Sequence, residues 1–211
     1  MKLARFVATA GFAIASFGVQ ASNLVVNGSF EDNVQNLGSW NIYNNLTRWT
    51  GSSNIELRNN VAGTAQLGSN FVELDTTANN AMWQTIHIVQ PGSYELSFWY
   101  AARPDNASRT QTADTDKLGW SFGNSSGEVL PNWKVAGATS WQQFVTSLTF
   151  DQTGDQVLRF SALGQSDSYG GSIDNVSITA AVPEPETYAL MMAGLGVMGL
   201  VARRRKNGMP S

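Results

Sequence analysis

The stretch Gly92-Ser93-Tyr94-Glu95-Leu96-Ser97-Phe98-Trp99-Tyr100 decides the fold class. Tyr94, Leu96, Phe98 and Tyr100 alternate with Glu95, Ser97 and Trp99, a period of two that belongs to a half-buried strand and not to a helix. Phe144, Leu148 and Phe150 alternate with Val145, Ser147 and Thr149 in the same way. Outward from these two runs, strands are predicted at Leu24 to Val26, Ile55 to Leu57, Phe71 to Leu74, Met82 to Val89, Leu118 to Phe122, Val157 to Ala162 and Ile173 to Thr179. Turn-formers separate them, among them Pro91-Gly92, Asn124-Ser125-Ser126-Gly127 and Gly170-Gly171. No helical window of useful length lies between Asn23 and Ala181. Many short strands at this spacing predict an all-β fold, a two-sheet jelly-roll β-sandwich. The longest unpatterned stretch, Ala101 to Asp116, is polar and reads as a loop.

Both ends differ from this middle. Lys2 and Arg5 precede an apolar run from Phe6 to Val19, and Val19-Gln20-Ala21 offers a signal peptidase its small residues. Residues 1–21 are therefore read as a helical signal peptide cleaved after Ala21, and 22–181 as the folded domain. In the last segment, 182–211, Val182-Pro183-Glu184-Pro185-Glu186 breaks regular structure. Tyr188 to Ala202 is then almost wholly apolar, and Arg203, Arg204, Arg205 and Lys206 follow. This reads as a short hydrophobic membrane helix with a basic cytoplasmic stop. It is shorter than the roughly 20 residues that comfortably cross a bilayer, and Gly194, Gly196 and Gly199 weaken it as a helix. A temporary anchor suits it better than a permanent one.

The order of these parts resembles the PEP-CTERM sorting signal: Val182, Pro183, Glu184 and Pro185, then a glycine-bearing hydrophobic stretch, then the cluster of Arg203, Arg204 and Arg205. The resemblance implies recognition by an exosortase in the inner membrane of a Gram-negative bacterium. It also implies removal of the tail and delivery to the surface or extracellular matrix, where exopolysaccharide and biofilm are made. It covers about the last thirty residues, so it speaks to address and not to the activity of the domain. A single-pass anchor that is not cleaved is the alternative.

With both ends set aside, seven Lys and Arg stand against fourteen Asp and Glu, a net charge of about −7. An acidic domain without a basic stripe is a poor nucleic-acid binder, because phosphate neutralisation dominates that affinity. The chain has no cysteine, which excludes disulfides, thiolate metal sites and a cysteine nucleophile.

Asn27-Gly28-Ser29-Phe30-Glu31 near the start and Ile173-Asp174-Asn175-Val176 at the end resemble the paired signatures of the galactose-binding-like jelly rolls, which include many carbohydrate-binding modules. Gly68 to Asp75, Gln84 and Gly92 to Phe98 agree in outline. What the resemblance implies is a structural calcium where the first and last strands meet, with Glu31 and Asp174 as ligands and the Gly28 carbonyl as an open third. The residues agree: Asp174 shares strand parity with Val176 and Ile178, so it is expected to point inward, where a lone carboxylate must be paired, bonded or metal-bound. The other reading is that both acids only cap turns.

Seven tryptophans invite a polysaccharide-binding reading, since flat aromatic faces stack on pyranose rings, although buried aromatics also fill sandwich cores. Trp83, Trp120 and Trp133 lie beside loops or polar neighbours and Arg103 with Asp105 starts the long loop; Trp83, Trp99, Arg103 and Trp120 are the candidates for a ligand face. Catalysis has little to stand on. Gly123-Asn124-Ser125-Ser126-Gly127 spells a nucleophile elbow, but that motif needs a helix behind it and a later histidine, and His87, the one histidine, comes earlier. A polar hairpin turn is the favoured reading. Glu73 and Asp75, with Glu95 near, could hydrolyse a glycosidic bond only across a cleft of suitable width. The expectation is a non-catalytic surface or matrix protein that contacts exopolysaccharide. A structural or adhesive protein without a sugar site is the alternative, and a glycan-cleaving enzyme the remote one.

Overall fold

The computed structural model describes residues 22–104, 115–130, 139–181, 191–199 and 203. Residues 21–181 form one compact unit, and it contains the whole hydrophobic core from Val25 to Ile178. Its strands are β1 (Ser39–Leu46), β2 (Trp49–Asn59), β3 (Asn70–Glu73), β4 (Ala81–Ile88), β5 (Gly92–Ala101), β6 (Leu118–Phe122), β7 (Ser125–Val129), β8 (Gln142–Phe150), β9 (Gly154–Ala162) and β10 (Ser172–Ala180). Every pairing among the described residues is antiparallel.

The hydrogen-bonded order is β7-β6-β9-β4-β2-β3-β10-β5-β8, with β1 on β2. β2 is the link between two layers: Thr50 and Gly51 pair with β4, whereas Glu56 to Asn59 pair with β3. The path therefore folds over at β2 into a front sheet (β7-β6-β9-β4) and a back sheet (β3-β10-β5-β8). Aromatic contacts across the interior establish the facing: Phe98 of β5 meets Phe160 of β9 at 5.0 Å, Phe144 of β8 meets Trp120 of β6 at 5.1 Å, and Phe150 meets Phe122 at 5.0 Å. The alternation read from the sequence supplies these inward residues. Burial of side chains such as Phe98 and Phe160, both fully enclosed, stabilises the fold by about 1.5–3 kcal/mol each. The predicted jelly-roll β-sandwich is the observed architecture.

Three local expectations are corrected. Leu24 to Val26 is no strand: the side-chain amide of Gln84 takes the place of a neighbouring strand, accepting from Val26 N at 2.9 Å and donating to Val26 O at 2.9 Å. β1 was not anticipated, because Asn41, Asn44 and Asn45 dilute its pattern. Ser125 to Gly127 lies in β7, since Phe122 pairs directly with Ser125 and the turn is the two residues Gly123 and Asn124. Gly123 supplies the positive φ, 59°, that such a hairpin needs. The Gly-x-Ser-x-Gly spelling is thus a hairpin and not an elbow.

In the C-terminal segment, residues 191–199 and Arg203 are helical. Among the described residues no helix is long and apolar enough to cross a membrane. The signal segment 1–21, the motif Val182 to Pro185, Arg204, Arg205, Lys206, Trp133 and Asp105 lie outside the described residues.

Candidate functional site

Strand parity places the four candidate ligand residues. On β4, Met82, Gln84, Ile86 and Ile88 are buried, so Trp83, Thr85 and His87 face outward from the front sheet. On β5, Tyr94, Leu96 and Phe98 are buried, so Trp99 faces outward from the back sheet. Arg103 lies past the end of β5, and Trp120 packs inward at 8% exposure. Trp83, Trp99, Arg103 and Trp120 therefore do not line one face. β4 and β5 are neighbours in sequence but belong to opposite layers, which single-strand parity does not reveal.

The front sheet carries a shallow groove of about 300 Å³. Gly119 and Ser121 of β6, Ser126 and Glu128 of β7, Arg159 and Ser161 of β9 and the Leu163 side chain line it, with Trp120 and Gly127 at its border. Cross-strand register builds it, since Ser121 pairs with both Ser126 and Arg159, and Gly119 with both Glu128 and Ser161. Gly119 keeps the floor low: a Cβ there would come within 2.6 Å of Leu163 Cδ1. Arg159 connects the groove to the tryptophan row. Its guanidinium lies 5.1 Å from the ring centroid of Trp83, its register partner, and its Nε donates to Ser161 Oγ at 3.3 Å. Lys117 Nζ meets Glu128 Oε2 at 2.6 Å on the far wall. An open trough with an acid, a guanidinium, three hydroxyls and an aromatic flank presents donors and acceptors to a polyhydroxylated chain. The sequence reading missed Arg159, Ser121, Ser126, Ser161 and Glu128. Outward parity was the available signal, but only register brings them together.

Arg103 belongs to a different cluster. Its Nη1 lies 3.5 Å from Glu73 Oε2 and donates to Ser168 O at 3.1 Å, and its guanidinium stacks 4.4 Å from the Tyr169 ring centroid. Beneath it, the fully buried Arg58 pairs with Glu73 and, at 2.6 Å, with Glu56. Glu73 Oε1 also accepts from Gly170 N at 2.6 Å, and Asp75 accepts from Asp167 N at 3.0 Å. Glu73 and Asp75 are thus bound into the fold. His87 stands exposed on β4, 2.7 Å from Asp155.

The two acids at the chain ends do come together. Asp174 Oδ2 accepts from Gln66 N at 2.9 Å and Leu67 N at 3.0 Å, and Glu31 Oε1 accepts from Ser69 N at 2.9 Å and Asn70 N at 2.7 Å. Both carboxylates grip the single loop 66–70. Asp174 does not point into the core as parity with Val176 and Ile178 predicted. Asn175 adopts φ 47° and the ladder shifts between Asp174 and Ser177, so Asp174 pairs with Trp99 on the outer face of the back sheet, buried beneath that loop. Burial pushes its carboxyl up from an ordinary 3.8 to about 7; amides of Leu67, Asn175 and Gln66 oppose the rise, and the charge of Glu31 adds to it.

The site is compatible with a cation. Two like charges are held close and one is desolvated, while Glu31 Oε2 accepts no hydrogen bond from a described residue. The Gly28 carbonyl accepts from Val176 N at 2.9 Å and keeps a second lone pair. Among the described residues no group of three or more acidic or histidine side chains surrounds a metal position. Calcium here would complete its shell with carbonyls and water.

The jelly-roll fold is similar to that of solved carbohydrate-binding modules. A family 61 module, TmCBM61, solved in complex with β-1,4-galactotriose, superposes with a TM-score of 0.53 at 18% identity, covering 76% of this chain and 100% of its own. A family 35 module from Clostridium thermocellum gives 0.43 at 19% identity, covering 68% and 99%. A family 6 module of Cellvibrio mixtus lichenase 5A, in complex with cellotriose, gives 0.41 at 12% identity, covering 69% and 99%. Residues 181–206 match the PEP-CTERM protein-sorting motif, which marks the chain as one that carries an export and sorting signal. Comparison with curated protein sequences gives no match.

Proposed function

We propose that this is an exported, exosortase-sorted protein whose β-sandwich binds polysaccharide without cleaving it, in the groove between β7, β6 and β9. The observation that carries the reading is the groove itself, where Arg159, Glu128, Ser121, Ser126 and Ser161 converge beside Trp83. The likeness to carbohydrate-binding modules supports it at the level of fold. In this reading signal peptidase removes the first 21 residues, and the hydrophobic segment before Arg203 holds the protein transiently in the inner membrane. An exosortase of a Gram-negative host then releases it to the surface or matrix, beside the exopolysaccharide that is its ligand. A calcium ion held by Glu31 and Asp174 would fasten the loop 66–70 and shield the charge that burial disfavours.

Binding of residues 22–181 to a polysaccharide panel that includes the host's own matrix tests the proposal. Saturable binding that Arg159→Ala weakens at least tenfold is expected, a loss typical of one good charge-assisted contact. Absence of binding to every glycan, or binding indifferent to Arg159→Ala, would overturn it. Intact mass of the exported protein tests the sorting part, which fails if Arg203 to Lys206 remain attached.

A further inference from the structure

We infer that β8 is a self-association edge, pairing antiparallel with β8 of a second copy so that the two back sheets become one continuous sheet. Strands at sheet ends carry unpaired N–H and C=O groups, and proteins normally blunt them with charge, bulges, proline or shortness. Among the described residues the strand order has three end strands, β7, β8 and β1, and two of them are blunted. β7 has five residues and carries Gly127 and Glu128, the latter paired to Lys117. β1 carries a register shift between Tyr43 and Asn45. β8 has no such device. It runs nine residues, Gln-Gln-Phe-Val-Thr-Ser-Leu-Thr-Phe, with no charge, proline or glycine, in unbroken register with β5 from Gln142 to Phe150. From Gln143 to Phe150 no described residue other than those of β5 forms a backbone ladder with it.

The same sequence says what fits there. Antiparallel pairing about a twofold axis through Thr146 sets Phe144 opposite Leu148 and Val145 opposite Ser147, without any like-charge contact. Such a twofold interface is self-complementary, as closed dimers require. It would also cover Val145, which is 49% exposed, and the half-buried edges of Phe144 and Phe150. The glycan groove lies on the front sheet, so two copies joined at β8 keep both grooves and gain avidity for a repeating polymer.

The absence of cysteine permits a direct test. At the twofold axis the two Thr146 Cα atoms would lie about 4.5–5.5 Å apart, inside the range of roughly 4.4–6.8 Å that a disulfide spans. Thr146→Cys in residues 22–181 is expected to give a covalent dimer on mild oxidation, and Thr85→Cys on the outer face of β4 is the control. Sedimentation of the unmodified protein from low micromolar to near-millimolar concentration is expected to show a monomer–dimer equilibrium. Val145→Lys with Ser147→Lys should hold it monomeric by placing ammonium groups opposite each other. A protein monomeric throughout, a dimer indifferent to the lysines, or cross-linking no faster at 146 than at 85 would each overturn the inference.

Discussion

Asp174 gives the most quantitative prediction. Its carboxyl titrates near 3.8 when free and near 7 in the fold, because burial disfavours its charge more than three backbone amides favour it. A raised carboxyl has a definite sign: the folded state binds the proton more tightly, so its contribution to stability is greatest below the unfolded value and is lost as pH rises toward 7. A rise of about three pH units, at about 1.4 kcal/mol each, makes that loss about 4 kcal/mol between pH 4 and pH 8. Other groups titrate across the same range, so the observable is a difference. Asp174→Asn keeps an oxygen for the amides of Gln66 and Leu67 but cannot ionise. Urea unfolding of both proteins in chelator, at half-unit pH intervals, should show the Asn variant gaining on the parent by about 4 kcal/mol from acid to alkaline pH. A difference that does not change with pH would refute the account of a desolvated carboxylate under the loop 66–70.

Adding calcium should raise the melting temperature of the parent, most above pH 7, and leave Asp174→Asn nearly unmoved; equal melting in calcium and chelator would contradict the calcium proposal. Glu73→Gln leaves the buried Arg58 and its neighbour Arg103 short of an anion, and denaturant titration should record a loss of about 3–5 kcal/mol. Phe98→Ala empties the contact among Phe98, Phe144 and Phe160 and should cost about 3–5 kcal/mol in the same assay, with an unchanged m-value if the fold persists.

What the sequence disclosed follows a physical division. The alternation in Tyr94 to Tyr100 and Phe144 to Phe150 is local, so it declared both strands and their inward faces. β1 and β7 were silent because Ser39 to Leu46 and Ser125 to Val129 are held by their partners, not by their own pattern. The pairing of Glu31 and Asp174 on one loop was signalled by the resemblance of the chain ends, but the direction of Asp174 was not. It depends on the single positive φ at Asn175, which reverses parity in mid-strand. Arg58 illustrates the same limit: an arginine in a strand reads as a surface residue until register sets Glu56 and Glu73 around it. The groove is entirely non-local, assembled from three strands whose adjacency no short window contains.

The most direct test of the central claim is where a bound glycan sits. Backbone amide and indole resonances of residues 22–181 would be followed by NMR during titration with a polysaccharide fragment that binds. Progressive shifts are expected at Gly119, Ser121, Ser126, Arg159 and Ser161 and at the Trp83 indole, with Trp99 on the opposite sheet unmoved. Shifts confined to the surroundings of Trp99, or to Arg103 and Tyr169, would contradict it.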